Sequence, residues 1–430
     1  MAMMRLVVLY TGIALSALSC VAQELSGFID ISGSRPQTPG SKIFYWFTPQ
    51  QVPSGEPKPL LLWLQGGPGS PGELGLFFEL GPYYLNENEQ LEPRTVGNWN
   101  REYNVLFVDQ PIGTGYSVAG SGDAYAKNQD EVAQDLYYFM QEWFNQHEEY
   151  ANVPFFITGE SYGGHYIPSF AYKILSENQN AVENGKRVIH LQGVAIGDGL
   201  TDPCSQVEAG PRAAYDFGII DAKTFAAAKV SALKASVACL QRNYTAAHDY
   251  RSEMEDLVIS SSGINKYDVR TFEDYDYMHE RMDTFLNSPE AKDMLHVPQD
   301  IPFSTDSQVS IALYDDVMQS QADKIPFLLD NIRVLLYQGQ FDWKDGPFSN
   351  EKWIMQMDWP GRGKYLSAPR RKWLTEYNGA THISGWVQEY DTLTEIVVNG
   401  AGHLAPMNEP ERLYEMISTF IESKAFLTAT

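Results

Sequence analysis

Six stretches of this 430-residue chain are apolar almost without interruption and end on a glycine or a polar residue. They are PLLLWLQ (59–65), NVLFVDQP (104–111), PFFITGES (154–161), VIHLQGVAIGDG (188–199), IRVLLYQGQFD (332–342) and EIVVNGAGH (395–403). Unbroken runs suit strands buried on both faces, as in a sheet sandwiched between helices. Between the second and third runs, Val132, Leu136, Phe139 and Trp143 recur at helical spacing, as do Leu413, Ile417 and Ile421 after the last. Strand and helix patterns in alternation predict an α/β domain with a mostly parallel central sheet flanked by helices. Residues from about 203 to 325 break the rhythm. They are rich in Asp, Tyr, Ser and Met, carry no long buried-strand run, and read as a helical cap inserted into a single domain spanning 23–430.

The first 22 residues are different again. Arg5 is followed by LVVLYTGIALSALSCVA and then by the polar QELSG. This is too short and one-sided for a membrane span and fits a secretory signal, with cleavage expected near Ala22. Cys20 leaves with it. Cys204 and Cys239 then remain, and in an oxidising compartment they can close one disulfide, two free buried thiols being the alternative. Asn243-Tyr244-Thr245 is a glycosylation sequon, so Asn243 is a candidate glycan site.

Thirty-one basic residues against 55 acidic give a formal charge of -24, which argues against nucleic acid or an anionic membrane as partner. Such a charge serves solubility. It also suits an acidic compartment, where protonation of carboxylates brings the net charge nearer zero. No metal-ligand cluster stands out in the sequence and no cofactor is expected.

The candidate chemistry lies at Gly159-Glu160-Ser161-Tyr162-Gly163, a G-x-S-x-G pattern between the strand-like VPFFITG and the helical HYIPSFAYKIL. Small residues there allow the sharp strand-to-helix turn that exposes a nucleophilic serine, Ser161. In this scaffold the acid and then the base follow in chain order. His403 comes directly after EIVVNGAG and is the candidate base. His382 lies earlier, and His165 is too near Ser161 in sequence to reach back. Asp342 ends the fifth run and is the candidate for holding the imidazole, with Asp198 and Asp202 as alternatives that turn chemistry also explains. An oxyanion hole needs two backbone N–H groups. Tyr162 supplies one, and the glycine pair Gly66-Gly67 in LLLWLQGGPGS marks the loop for the other.

WLQGGPG, GESYGGHYIP, AIGDGLTDP, YQGQFD and GAGHLAPMNEP together resemble the successive signatures of the serine carboxypeptidases, with Gln65 and YQGQFD similar to the vitellogenic-like branch. The resemblance runs from SGFIDI to the final helix. It implies the α/β-hydrolase fold with a helical insertion, removal of single residues from peptide C-termini, the triad Ser161, Asp342 and His403, and oxyanion donors at Gly67 and Tyr162. It also gives Glu160 a role: paired with Glu79 in GLFFELGPYYL, and with Trp63, Gln65 and Gly66, it binds the substrate's terminal carboxylate. Two carboxylates about 3 Å apart at an effective dielectric near 20 repel by roughly 5 kcal/mol, so one proton is shared in acid. Phe78 and Leu404 are candidates for an apolar pocket around the leaving residue. Family members often have cysteine after GGPG where this chain has Ser70, with Pro71 and Glu73 beyond it, and Asp342 is followed by WKDGPFS. The expected partners are peptide or protein C-termini, with a homodimer left open. The expected location is the secretory pathway, ending in a lysosome or vacuole or outside the cell. Acyl transfer or ester hydrolysis by the same triad, and a non-catalytic binding relative, are the rival readings.

Overall fold

A computed structural model describes residues 26–52, 58–305, 308–377 and 379–429. The expected signal, 1–22, lies outside the described residues. Thirteen strands form: β1 (Ser26–Asp30), β2 (Lys42–Thr48), β3 (Leu60–Leu64), β4 (Tyr83–Leu85), β5 (Leu91–Pro93), β6 (Asn104–Val108), β7 (Phe155–Glu160), β8 (Leu191–Gly197), β9 (Arg333–Gly339), β10 (Arg371–Tyr377), β11 (Ala380–Tyr390), β12 (Leu393–Val398) and β13 (Thr428–Ala429). β4 and β5 make a small ribbon, and the other eleven form one sheet in the order β1-β2-β6-β3-β7-β8-β9-β12-β11-β10-β13. The six strands from β6 to β12 are mutually parallel. The outer strands at both ends pair antiparallel.

All six apolar runs lie in this parallel block, and β3 shows why they lack alternation. Leu60, Leu62 and Leu64 point into one core, with Leu136, Phe139, Trp143 and Ile167 from the helices Gln129–Gln146 and Gly163–Asn178. Leu61 and Trp63 point into the opposite core, with Leu413 and Ile417 of the helix Pro410–Ile421. Both faces are covered, so both parities are apolar. The helix Gln129–Gln146 is started by Asn128, whose side chain accepts from the Glu131 N–H at 3.0 Å.

The antiparallel flanks did not show in the apolar runs. β1 at one edge, and β10 and β11 at the other, carry polar and partly exposed positions, as outer strands do, whereas β2 is buried and apolar on both faces. Between β8 and β9 the chain is helical, including Ala222–Leu240, Tyr244–Ser262 and Asp276–Leu286. Part of it has its own small core of Ala228, Ala232, Ala235, Ala247, Met254 and Val258. Cys204 and Cys239 are bonded to each other across this unit. Asn243 is exposed and caps the helix Tyr244–Ser262 through its side-chain oxygen, accepting from Ala246. Among the described residues no helix is long and apolar enough to cross a membrane.

The small alanine-rich core buries little apolar area, so the cross-link carries much of the unit's stability. Replacing both Cys204 and Cys239 by serine is expected to cost about 3 kcal/mol. The check is the shift in denaturant midpoint, with proteolysis of the Ala222–Ser262 hairpin as local readout.

Candidate active site

The carboxyl ends of four adjacent parallel strands meet in one place. Ser161 follows β7, Asp198 follows β8, Asp342 lies just past β9 and His403 just past β12. The glycine loop after β3 joins them from the other side of β7. Strand order reverses at β3, since β6 lies on one side of it and β7 on the other, and such switch points are where open α/β sheets bind ligands.

Ser161 sits at φ 58°, in the left-handed region that side chains other than glycine rarely adopt. Its N–H donates to Gly197 at 2.9 Å, and its carbonyl accepts from Leu200 and Gly164, both at 2.9 Å. These three bonds hold the strained turn. Gly66 lies against it: a Cβ on Gly66 would fall 2.6 Å from the Ser161 Cβ and 2.7 Å from the Tyr162 nitrogen. Gly67 has φ +106°, and neither its N–H nor that of Tyr162 donates a hydrogen bond among the described residues. Two free N–H groups beside the serine, one of them heading the helix Gly163–Asn178, form a cradle for a developing oxyanion.

His403 Nδ1 and Asp342 Oδ2 are 2.8 Å apart, both buried. Asp342 also accepts from the Lys344 N–H at 2.7 Å and the Asp345 N–H at 3.1 Å. That fixes the carboxylate plane and leaves His403 Nε2 buried without a partner, free for a reacting proton. Ser161 Oγ makes no hydrogen bond among the described residues, a looseness usual before substrate binds. Asp198 accepts from Gly339 N at 2.8 Å. Burial, and then the Asp342 charge, pushes its carboxyl well above the usual range. Asp198, Asp342 and His403 have side-chain atoms within 4.8 Å of one another.

The alternatives fall away on position. His382 lies on β11 and lines a groove of about 630 Å³ with Arg101, Glu411, Arg412 and Glu415, which includes none of Ser161, Asp342 and His403. His165 is buried, stacked on Tyr162 at 4.2 Å and bonded through Nδ1 to the Leu200 carbonyl. Asp202 accepts from Ser205 Oγ at 2.5 Å in a turn.

Glu160, the last residue of β7, turns away from the solvent and is fully buried. Trp63 Nε1 donates to Gln65 Oε1 at 2.7 Å, and Gln65 Nε2 donates to Glu160 Oε1 at 2.9 Å. Glu160 Oε2 and both Glu79 oxygens find no donor from other groups. The two buried carboxyls are close enough for the charge on each to act on the other. Burial pushes Glu79 up to about 7, opposed by the neighbouring Glu160 and Gln65 and by His403 and Arg94. Burial and then the Glu79 charge push Glu160 well above the carboxylate range. Phe78 and Leu404 are 2% and 7% exposed, so both present edges and not whole side chains. The Phe78 ring packs edge-on against Tyr84 and Tyr277.

Sequence reasoning set Asp198 aside as a turn residue, although it completes the acid chain to Asp342. It also passed over Arg94, whose guanidinium bonds the Phe77 carbonyl at 2.7 Å and the Gly81 carbonyl at 3.1 Å, bracketing Glu79. A single arginine in a polar loop carries no signal of such a role.

A nucleophile elbow, an aspartate–histidine pair and two free N–H groups on this sheet define a serine hydrolase of the α/β-hydrolase fold. The serine carboxypeptidase family model matches residues 19–423, and the chain belongs to that family. It is 35% identical over 406 residues to the Dictyostelium discoideum protein named probable serine carboxypeptidase CPVL, covering 93% of this chain and 79% of that one. Serine carboxypeptidase-like 50 of Arabidopsis thaliana is 36% identical, with 93% and 87% covered. The fold is also that of the prohormone-processing carboxypeptidase Kex1 of Saccharomyces cerevisiae, with a TM-score of 0.83 at 22% identity, covering 93% of this chain and 91% of that one.

The contact at Gly66 gives a sharp test. Gly66→Ala is expected to lower kcat roughly a hundredfold by displacing Ser161 and the Tyr162 N–H, with the circular dichroism spectrum unchanged.

Proposed function

We propose that this carboxypeptidase releases C-terminal residues through an acyl-enzyme, with Ser161, His403 and Asp342 as its triad and the Glu79–Glu160 pair as its carboxylate clamp. Ser161 Oγ attacks the last peptide carbonyl while its proton passes to His403 Nε2. The N–H groups of Gly67 and Tyr162 hold the oxyanion. Collapse breaks the C–N bond, and the leaving amine takes the proton from His403. Water then attacks the ester, again losing its proton to His403, and Ser161 is regenerated. Asp342, locked by two backbone N–H groups, keeps the imidazole in the tautomer this sequence needs.

The observation that carries the exopeptidase reading is the buried carboxyl pair one residue before the nucleophile. A shared proton between Glu79 and Glu160, backed by Gln65 and Trp63, is a donor that accepts a carboxylate without adding a third charge. Gly66 lets the peptide terminus approach the backbone. Phe78 and Leu404 border the leaving residue. The secretory pathway, with a lysosome or vacuole or the cell exterior as destination, agrees with the acidic composition, the disulfide and the exposed Asn243 as glycan site.

A peptide and its C-terminally amidated copy separate the clamp from the triad. At about pH 5 the amide should turn over at least roughly tenfold more slowly; equal rates would remove the clamp from the mechanism.

The clamp also sets a pH dependence. Both acids are raised in the folded protein, so the stability they contribute is full below about 4.5 and drains as pH rises through about 7. Substrate binding follows the same proton, and KM for a free-acid peptide should climb as pH passes about 7. In the double variant Glu79→Gln, Glu160→Gln, KM should be higher in acid and flat across that range. A retained rise would assign the titration to another group.

A further inference from the structure

The helical insertion ends in a stretch that touches both sides of the nucleophile. Val309, Leu313 and Val317 recur at helical spacing and enter the same core as Tyr162, Tyr166 and Ile167. The next residue, Met318, belongs instead to the small core of the insertion, with Ala232, Met254 and Trp343. This stretch therefore joins the insertion to the floor of the site.

Its polar side chains reach both segments that carry a free N–H. Asp316 is 1% exposed and accepts at Oδ2 from the Tyr162 hydroxyl at 2.7 Å and from Gln129 Nε2 at 2.5 Å. The Tyr162 ring lies flat on His165, 4.2 Å between centres and 8° between planes, with Tyr166 edge-on at 5.1 Å. The Tyr162 carbonyl accepts from the His165 N–H at 2.9 Å and the Tyr166 N–H at 3.3 Å. Among the described residues, the N–H is thus the one polar group of Tyr162 left unbonded. On the other side, Ser310 Oγ donates to the Pro68 carbonyl at 2.9 Å, one residue past Gly67. Val309 packs so closely on the same loop that a Cβ on Gly69 would fall 2.9 Å from the Val309 Cβ. Asp316 makes no ion pair among the described residues, and burying a carboxyl that no cation pairs is costly. What it fixes is a phenol one residue past the nucleophile.

We propose that Asp316 and Ser310 are positioning residues for the oxyanion hole, Asp316 acting through the Tyr162 side chain and Ser310 through the loop that carries Gly67. The two N–H groups come from segments far apart in sequence, and one short stretch of the insertion ties both to a common support. Their aim is fixed before substrate arrives, which is where such donors gain their effect. The proposal deepens the acyl-enzyme reading and rests on it.

The test measures kcat and KM on an N-blocked dipeptide, and turnover of p-nitrophenyl acetate, an ester that uses the oxyanion hole without the carboxylate clamp. Tyr162→Phe keeps the ring, the stack and the backbone. It should lower kcat about tenfold with KM within about twofold, and slow the ester alike. Asp316→Ala should do the same, and the double variant should be no slower than the slower single, since either change breaks the same bond. Asp316→Asn retains an acceptor there and should stay within about threefold of wild type. Ser310→Ala acts on the other donor, so its loss should multiply with that of Tyr162→Phe. Should Asp316→Ala fail to fold, the contrast between Tyr162→Phe and Asp316→Asn decides. A wild-type kcat in Tyr162→Phe, a loss expressed in KM instead of kcat, or losses at Tyr162 and Asp316 that multiply would each overturn the brace. A wild-type enzyme that turns over the ester but not the peptide sinks the exopeptidase reading, and the ester series still tests the brace.

Discussion

Proton sharing between buried carboxyl groups organises this site. Glu79 with Glu160 and Asp198 with Asp342 are each pairs of acids with almost no access to water. A third pair, Glu73 with Asp109, lies just behind the glycine loop. Burial pushes Asp109 up to about 6 and Glu73 well above its usual range. In each pair burial penalises charge, and ionising one member makes ionising its neighbour harder. In every case one partner is anchored by fixed donors. Gln65 serves Glu160, Lys344 and Asp345 N–H groups serve Asp342, and Gly72 and Tyr116 N–H groups serve Asp109. The geometry around Ser161 is thereby tied to fixed donors that hold one carboxyl of each pair in place.

That dependence explains which features could be read from the chain. The parallel block was legible because burial on both faces forces unbroken apolar runs, and the elbow was legible because a strained turn demands glycines at fixed offsets. Ser161, Asp342 and His403 each end one of those runs, so finding the runs located the three side chains that meet beside the glycine loop. The flanking strands β1, β10 and β11 were not found, since a strand at a sheet margin mixes with loop composition, and β2 was missed although its run IFYWF is unbroken and buried on both faces. Asp198 was read as a turn residue because its sequence context, GDG, is turn-like. Its carboxylate accepts from the Gly339 N–H, 141 positions away, and no local pattern encodes that.

Glu79 shows how far the constraint reaches. The segment Gly75–Leu80 is wound as a π-helix, which inserts one extra residue per turn and re-aims side chains, a device that recurs at functional sites. Gly75 permits it, because a Cβ there would strike the Trp63 indole that supports Gln65. A wider turn leaves carbonyls without ordinary partners, and Arg94 takes two of them, at Phe77 and Gly81. The same guanidinium is the nearby positive charge that holds Glu79 lower than burial alone would. One side chain therefore braces the turn that carries Glu79 and adds, after Glu160, Gln65 and His403, to what opposes its burial. The clamp is a property of the π-turn, the arginine and the Trp63–Gln65 relay acting together, and Glu160 beside the nucleophile is tolerable because all of them are in place.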